Sequence, residues 1–439
     1  MKPQNLPEAL IWYYIICTYL IYFIGAQSVF APLLGLFLVA YLLLEWWEQS
    51  HKPISTQKIQ ISLTTWIWIL AVLTIGLTII VGGINSGYGI GQIAKSFLNQ
   101  GWLRVWGVLG LFMLVGSLNI RPQLLTRAIC ILCLQSLIIV PIVCLATNIL
   151  NVPDTLYTSP LQIFKGNVDG YTVRISYGED GFIPGIERLV LLAPWPTPFG
   201  FLANIYFIMI TQEPNKKLRY FSMFACLIMV ILSGSRLALL CLIASLALVW
   251  ILTHLTQPWL YLTAGVSFYC LGLWPNIVIN SLRSFQSMFD NLRAGAGNST
   301  NARDIMVRVG IERWKNESPI WGHTPMAQDN IPKPLVVTPI GSHHTWVGLL
   351  FDHGLVGCVA FGVAMTWSFI NLLIKAQTSD YAKAGLGILI TLTFFSFGEP
   401  IPTYTYLLWP GFLFLGILFK GNEKIPTRSL SLNSKKANT

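Results

Sequence analysis

Long stretches nearly free of charge recur along the whole chain and leave few folds open. A helix needs about 20 mostly apolar residues to cross a hydrocarbon core about 30 Å thick. Reading at that scale predicts about twelve crossings: 9–25, 29–46, 62–81, 102–118, 128–148, 186–210, 220–233, 237–253, 258–279, 344–374, 384–398 and 403–420. The seventh and eighth are short and share a break at Ser233-Gly234-Ser235-Arg236. Only 10% of residues are charged, against about 25% in soluble domains. The expectation is one all-α, polytopic membrane domain spanning 1–439.

Basic residues set the orientation, because short cytoplasmic connections collect Lys and Arg. Lys52 and Lys58, Arg121 and Arg127, Lys216, Lys217 and Arg219, and Lys375 and Lys383 fall on one side if the N-terminus is inside. Lys420 and a 421–439 tail carrying Lys424, Arg428, Lys435 and Lys436 join them. Both termini are therefore expected in the cytoplasm. The N-terminal apolar run lacks a convincing cleavage site and reads as a retained helix. The net charge of +10 forms no stripe suited to a duplex, so no nucleic-acid partner is expected. The eight cysteines all lie in apolar segments and read as small packing residues, including Cys130-x-x-Cys133.

Two segments on the opposite side exceed ordinary connections, and loops that long are usually functional or disordered. The smaller, 149–185, holds Asp154, Lys165, Asp169, Arg174, Glu179 and Asp180, with a short strand or lid expected around Tyr171–Tyr177. The larger, 280–343, falls between the ninth and tenth crossings and carries Arg283, Arg293, Arg303, Arg308 and Arg313. Within it, 303–314 reads as an amphipathic helix with Ile305, Val309 and Trp314 on one side. Arg308, Glu312 and Lys315 lie toward another side.

Candidate site residues follow from placement. Arg236 opens an apolar helix, where a charge is costly unless it is paired or functional; it snorkels to lipid or grips a phosphate bidentately. Ser342 is the expected N-cap of the next helix, putting His343 and His344 in its first turn, where the dipole favours neutral imidazole. A neutral imidazole can act as a base. Asp352 and His353, about two and a half turns deeper, read more as packing than as chemistry. Glu399, beside Pro400, is either an acid/base or a solvated loop carboxylate, the latter somewhat favoured. Gly295-Ala296-Gly297 is a weak phosphate-cradling signal, and no metal-binding motif or GxSxG is present.

Three elements, in order, resemble the O-antigen ligase/polymerase superfamily. They are Ser235-Arg236 opening a hydrophobic helix, and Arg303 followed by Trp314 and Ser318-Pro319-Ile320-Trp321-Gly322. The third is His343-His344-Thr345-Trp346 running to Asp352-His353-Gly354-Leu355-Val356-Gly357. Two positions depart: His344 stands where the family usually has Asn, and His323 follows the loop glycine in place of a small residue. The resemblance implies a metal-independent, inverting glycosyltransferase with no cofactor. It would move a glycan from an undecaprenyl-pyrophosphate carrier to an acceptor hydroxyl at the periplasmic face, in surface polysaccharide synthesis. Arg236, Arg303 and Arg308 would bind the pyrophosphate and His343 would serve the acceptor, with His344, Asp352 and Glu399 secondary. A transporter or flippase of lipid-linked or anionic solutes is the alternative, weakened by the absence of matching halves.

Overall fold

The structure, a computed structural model, describes residues 2–50, 59–98, 102–164, 170–180, 182, 185–255, 257–273, 279–280, 283–284, 298–326 and 339–420. Lys52, Lys58, Lys165, Asp169, Arg293, the Gly295–Gly297 run and the 421–439 tail lie outside the described residues. The chain is overwhelmingly helical. In order come α1 (Leu6–Ile16), α2 (Thr18–Phe23), α3 (Gln27–Ser50), α4 (Leu63–Asn85), α5 (Ile90–Ser96), a π turn (Leu103–Gly107), α6 (Val108–Val115) and α7 (Pro122–Asn148). After two hairpins come α8 (Pro196–Ile210), α9 (Lys216–Leu232), α10 (Arg236–Thr253), α11 (Pro258–Leu273), α12 (Asn298–Glu317), α13 (Thr345–Ala376), α14 (Asp380–Ser396) and α15 (Thr405–Phe419).

Among the described residues, six helical segments are long and apolar enough to cross a membrane: Gln27–Gln49, Leu63–Asn85, Pro122–Asn148, Arg236–Thr253, Thr345–Ala376 and Ile401–Phe419. Other apolar runs form shorter helices, among them Leu6–Ile16, Leu103–Val115 and Pro196–Ile210. Two runs differ from expectation for local reasons. The first breaks at Cys17, between α1 and α2. The run expected from 186 becomes helical only at Pro196, because Pro194 and Pro196 disfavour helical backbone in the residues before them. Many large apolar side chains on the helices face outward, such as Trp46, Trp47, Leu70 and Ile138. That is costly in water and natural in lipid.

The bundle has two distinct ends. At one end Arg121 grips Glu8 through Nε (2.7 Å) and Nη2 (2.6 Å). There Arg127 grips Glu213 through Nε (2.8 Å) and Nη2 (2.5 Å). Both carboxylates are buried, and each is paired, as burial of charge requires. Lys375 caps the C-terminus of α15 by donating to Leu418 O (2.9 Å). The basic residues Arg121, Arg127, Lys375 and the start of α9 thus share an end with the N-terminus of α1.

The opposite end carries the polar constructions. The smaller loop folds as two antiparallel hairpins, β1 (Thr155–Thr158) with β2 (Thr172–Arg174), and β3 (Ser176–Asp180) with β4 (Glu187–Leu189). The strand expected over 171–177 is present but divides at Ile175. Asp154 ties the two pairs by accepting from Ser176 Oγ (2.6 Å). The larger segment contains α12, longer than expected. Its buried face is Met306 and Gly310 rather than Ile305, which is 47% exposed. A Cβ on Gly310 would lie 2.8 Å from Ile340 and 3.0 Å from Val347, so α12 lies directly on the start of α13.

Candidate active site

Four breaks in regular helix build this end. At the first, α9 stops at Leu232, Gly234 adopts φ +59°, and Ser235 caps α10 by accepting from Ala238 N at 3.2 Å. Ser233 Oγ accepts from Ser235 N (3.2 Å) and donates to Val230 O (2.7 Å), so the break is fully wired. Arg236 is the first residue of α10 and exposed. A cation at a helix N-terminus opposes the dipole, yet the same end plus a guanidinium suits an anion. Arg188 of β4 donates from Nε to Ser233 O at 3.3 Å, bringing a second guanidinium to the break. Sequence reading missed Arg188, because nothing in a three-residue strand 45 positions upstream of Ser233 signals it.

The second break precedes α13. Gly341 (φ +83°) folds back onto Gly348, where a Cβ would approach within 2.3 Å of the Gly348 Cα. The cap is His344 rather than Ser342: its Nδ1 accepts from Val347 N at 3.3 Å, and the helix starts at Thr345. Neither histidine is therefore in the first turn. His344 is neutral with its proton on Nε2, as a ring that accepts at Nδ1 must be, and burial lowers its pKa. Asn, which the resemblance leads one to expect at this position, is also among the best N-caps.

His343 remains for chemistry. Its Nδ1 is buried without a hydrogen-bond partner. Burial, followed by the charge of Arg303, takes its pKa down to about 4, so it is neutral at pH 7.

The third break is Glu399, between α14 and a 3-10 turn (Ile401–Tyr404). It is 1% exposed, not the solvated loop carboxylate favoured from sequence. Its Oε2 accepts from Tyr404 Oη (2.7 Å) and Trp195 Nε1 (3.2 Å). Burial pushes its pKa up to about 7, with Tyr404, Arg303, Trp195 and Thr197 pulling the other way. Thr345 Oγ1 donates to Glu399 O (2.6 Å) and accepts from Ile401 N (3.0 Å), binding the turn to the start of α13.

Arg303 joins these groups, since its charge acts on both His343 and Glu399. It sits on successive turns with Met306 and Gly310, the face that meets α13. Arg308 does not converge with it: Arg308 is exposed on the face shared with Glu312 and Lys315. Arg313 is occupied by Glu317 (Nη2, 2.8 Å) and lies over the Phe351 ring (5.4 Å). Arg283 is exposed.

The fourth break is Gly354 inside α13, with φ +62° and ψ −165°. The freed backbone groups bind residues 319–324: Leu355 N to Pro319 O (2.9 Å), Val356 N to Ile320 O (3.2 Å), His323 N to Phe351 O (2.8 Å) and Thr324 N to Asp352 O (2.9 Å). Gly322 (φ +73°) presses on Gly354 so closely that a Cβ there would sit 2.5 Å from the Gly354 N. His323 stacks on Phe351 (4.5 Å) and binds Glu317 at 2.9 Å, which gives this family departure a role. Asp352 contributes its carbonyl to this lock, seven residues beyond Thr345 and so about 10 Å along α13 at about 1.5 Å per residue. His353 is buried and satisfied: Trp106 Nε1 donates to its Nε2 (3.3 Å), so its Nδ1 donates to Thr78 Oγ1 (2.9 Å).

These observations define a polytopic helical membrane protein with Arg303, Glu399 and a neutral His343 gathered at the end opposite the Arg121–Glu8 and Arg127–Glu213 pairs. Residues 221–362 match the O-antigen ligase family model, and the match supports the O-antigen ligase/polymerase superfamily. It covers Arg236, Arg303, Arg308, His343, His344 and Asp352, and leaves Glu399 outside. No curated protein matches the chain.

Proposed function

We propose that the chain is a membrane glycosyltransferase of the O-antigen ligase or polymerase type. It takes a glycan from an undecaprenyl-pyrophosphate carrier and passes it to an acceptor hydroxyl at the periplasmic face of the bacterial inner membrane. The observation that carries this reading is the pairing of a cation with an unused base: Arg303 acts on His343, whose buried Nδ1 has no partner. Arg236 and Arg303 hold the diphosphate and stabilise the charge that builds on it as the anomeric C–O bond breaks. Arg308, on the exposed face of α12, reaches substrate only at the rim.

His343 takes the acceptor's proton as the new glycosidic bond forms. A pKa near 4 makes a weak base in the empty site, but a dianion beside Arg303 offsets that guanidinium and strengthens it. Attack opposite the leaving diphosphate inverts the anomeric centre. The reaction is metal-independent in this reading, as the resemblance implies. Both termini are cytoplasmic and the chain crosses about twelve times, a topology supported by the gathering of Arg121, Arg127 and Lys375 at the end opposite His343.

The test is a gel of surface glycans from a strain whose only copy is His343→Ala. Collapse of the ladder to single repeats indicates a polymerase, and long chains left on the carrier lipid indicate a ligase. An unchanged pattern overturns the reading and favours a transporter.

A further inference from the structure

Glu399 lies outside the matched segment and takes no part in the mechanism above. Its surroundings are nevertheless those of a working group. The turn that carries it is wedged between the two cationic positions. Gly398 packs on Leu237, the neighbour of Arg236, where a Cβ would come within 2.7 Å. The Glu399 carbonyl is fixed to Thr345, two residues past His343.

Four side chains act on it: Trp195 and Thr197 at the start of α8, Arg303 from α12, and Tyr404 from the 3-10 turn, with Tyr406 acting in turn on Tyr404. His343 feels the same Arg303 charge. Arg104 contributes its carbonyl to Thr405 (3.3 Å). Arg303 is the charge among them that acts on the carboxyl.

The donors also define where a proton goes. Tyr404 and Trp195 both donate to Oε2, which leaves Oε1 to carry it. Thr197, hydrogen-bonded to the same carboxyl, serves either state, since a hydroxyl donates to a carboxylate and accepts from an acid. The pocket is thus built to hold both forms without rearrangement.

We propose that Glu399 is a substrate-gated proton acceptor, taking up one solvent proton at Oε1 when the diphosphate of the donor occupies Arg303. The inference rests on the diphosphate reading above and deepens it. In the empty site Arg303 favours the carboxylate. A bound diphosphodiester brings two negative charges to that guanidinium, reverses the local sign and makes an ionised Glu399 a like charge to be removed. With its pKa at about 7, Glu399 is half ionised at neutral pH. A further rise of about one unit takes it to about nine-tenths protonated, an uptake of about 0.4 proton per site. Donor binding is then proton-coupled and weakens as the pH rises above 7.

The measurement is calorimetric titration of the full-length protein in nanodiscs with farnesyl-diphospho-glucose, in two buffers of different ionisation enthalpy. A diphosphodiester has no group titrating near neutrality, so every proton counted belongs to the protein. Expected are about 0.4 proton taken up at pH 7, a smaller uptake at pH 5.5 where Glu399 is already protonated and only His343 responds, and almost none at pH 7 in Glu399→Gln. If His343 were the acceptor, uptake would grow from pH 7 to 5.5, and His343→Gln would abolish it; either result overturns the proposal. Binding without net uptake overturns the role of Glu399 and leaves the diphosphate reading standing. Wild-type protein that does not bind the probe overturns the diphosphate reading itself. The pH dependence of the wild type decides the matter even if Glu399→Gln does not fold.

Discussion

Gly354→Ala is the substitution whose cost can be worked most directly from the structure. At φ +62° and ψ −165° the residue occupies a region open essentially to glycine alone, which costs another residue about 1–3 kcal/mol. The new Cβ would also lie 2.3 Å from Ile320 O, 2.5 Å from Ile320 C and 2.6 Å from Gly322 N. These are backbone atoms, which cannot swing aside as a side chain would. Relief requires either that 319–324 move off α13 or that residue 354 turn helical, and both break the four backbone hydrogen bonds of the lock. At about 1 kcal/mol net for each bond, the total is about 4 kcal/mol or somewhat more. Hydrogen exchange of 319–324 and 351–357 in detergent reads this directly. Protection there should fall by up to about a thousandfold, since about 1.4 kcal/mol is tenfold, and surface glycan assembly should fail with it. Gly91→Ala is the control, because its Cβ would meet nothing within 4 Å. Unchanged protection in Gly354→Ala would refute the lock.

Arg236→Lys keeps the charge but loses the bidentate fork, so under the proposed mechanism transfer in a reconstituted assay should drop about a hundredfold; full activity would mean that Arg236 merely snorkels. His344→Asn should keep both transfer and melting temperature, since Asn replaces one N-cap with another, whereas His344→Ala should cost about 1 kcal/mol of stability in thermal melts. Glu399 has a folded pKa of about 7 against an ordinary 4.5. Its stabilising contribution is therefore complete below pH 4.5 and lost as the pH rises through 7, about 3 kcal/mol in all. Melting temperature should fall from pH 5 to pH 8.5 more steeply in the wild type than in Glu399→Gln, and parallel profiles would count against a raised pKa. Treatment with EDTA should leave transfer intact, and a clear loss would point to a metal.

What the sequence made legible was whatever is local along the chain. The apolar runs announced the helices, and Ser233-Gly234-Ser235-Arg236 announced the break that the structure places there, down to the capping serine. The amphipathic helix around 303–314 was legible too, and Val309 of its apolar side packs on Ile340, Val347 and Phe351, but Ile305 does not. Ile305 is the larger apolar residue, yet Gly310 is buried because only a residue without a Cβ admits Ile340 and Val347 so closely. The cap at 344 was misjudged for a related reason. Ser is the better N-cap by propensity, but the chain reverses at Gly341 and brings His344, not Ser342, to the amide of Val347. Contacts across the fold decided both cases.

Convergence is harder to read than local structure, and the carboxylates show why. Glu399 and Asp352 look alike in sequence, each acidic at the edge of an apolar run. One is sealed by Trp195 and Tyr404 from segments 204 and 5 residues away; the other lends its backbone oxygen to Thr324. Their chemistry is set by partners that no local pattern names. The same holds for the two histidine positions with the most perturbing surroundings. His353 is closed off by Trp106 and Thr78, which use both ring nitrogens, while His343 keeps a buried nitrogen unused. A buried polar atom left without a partner costs free energy. A nitrogen kept in that state, under the charge of Arg303, suits a group completed only when substrate binds, and this is what favours His343 over His353 in the proposed reaction.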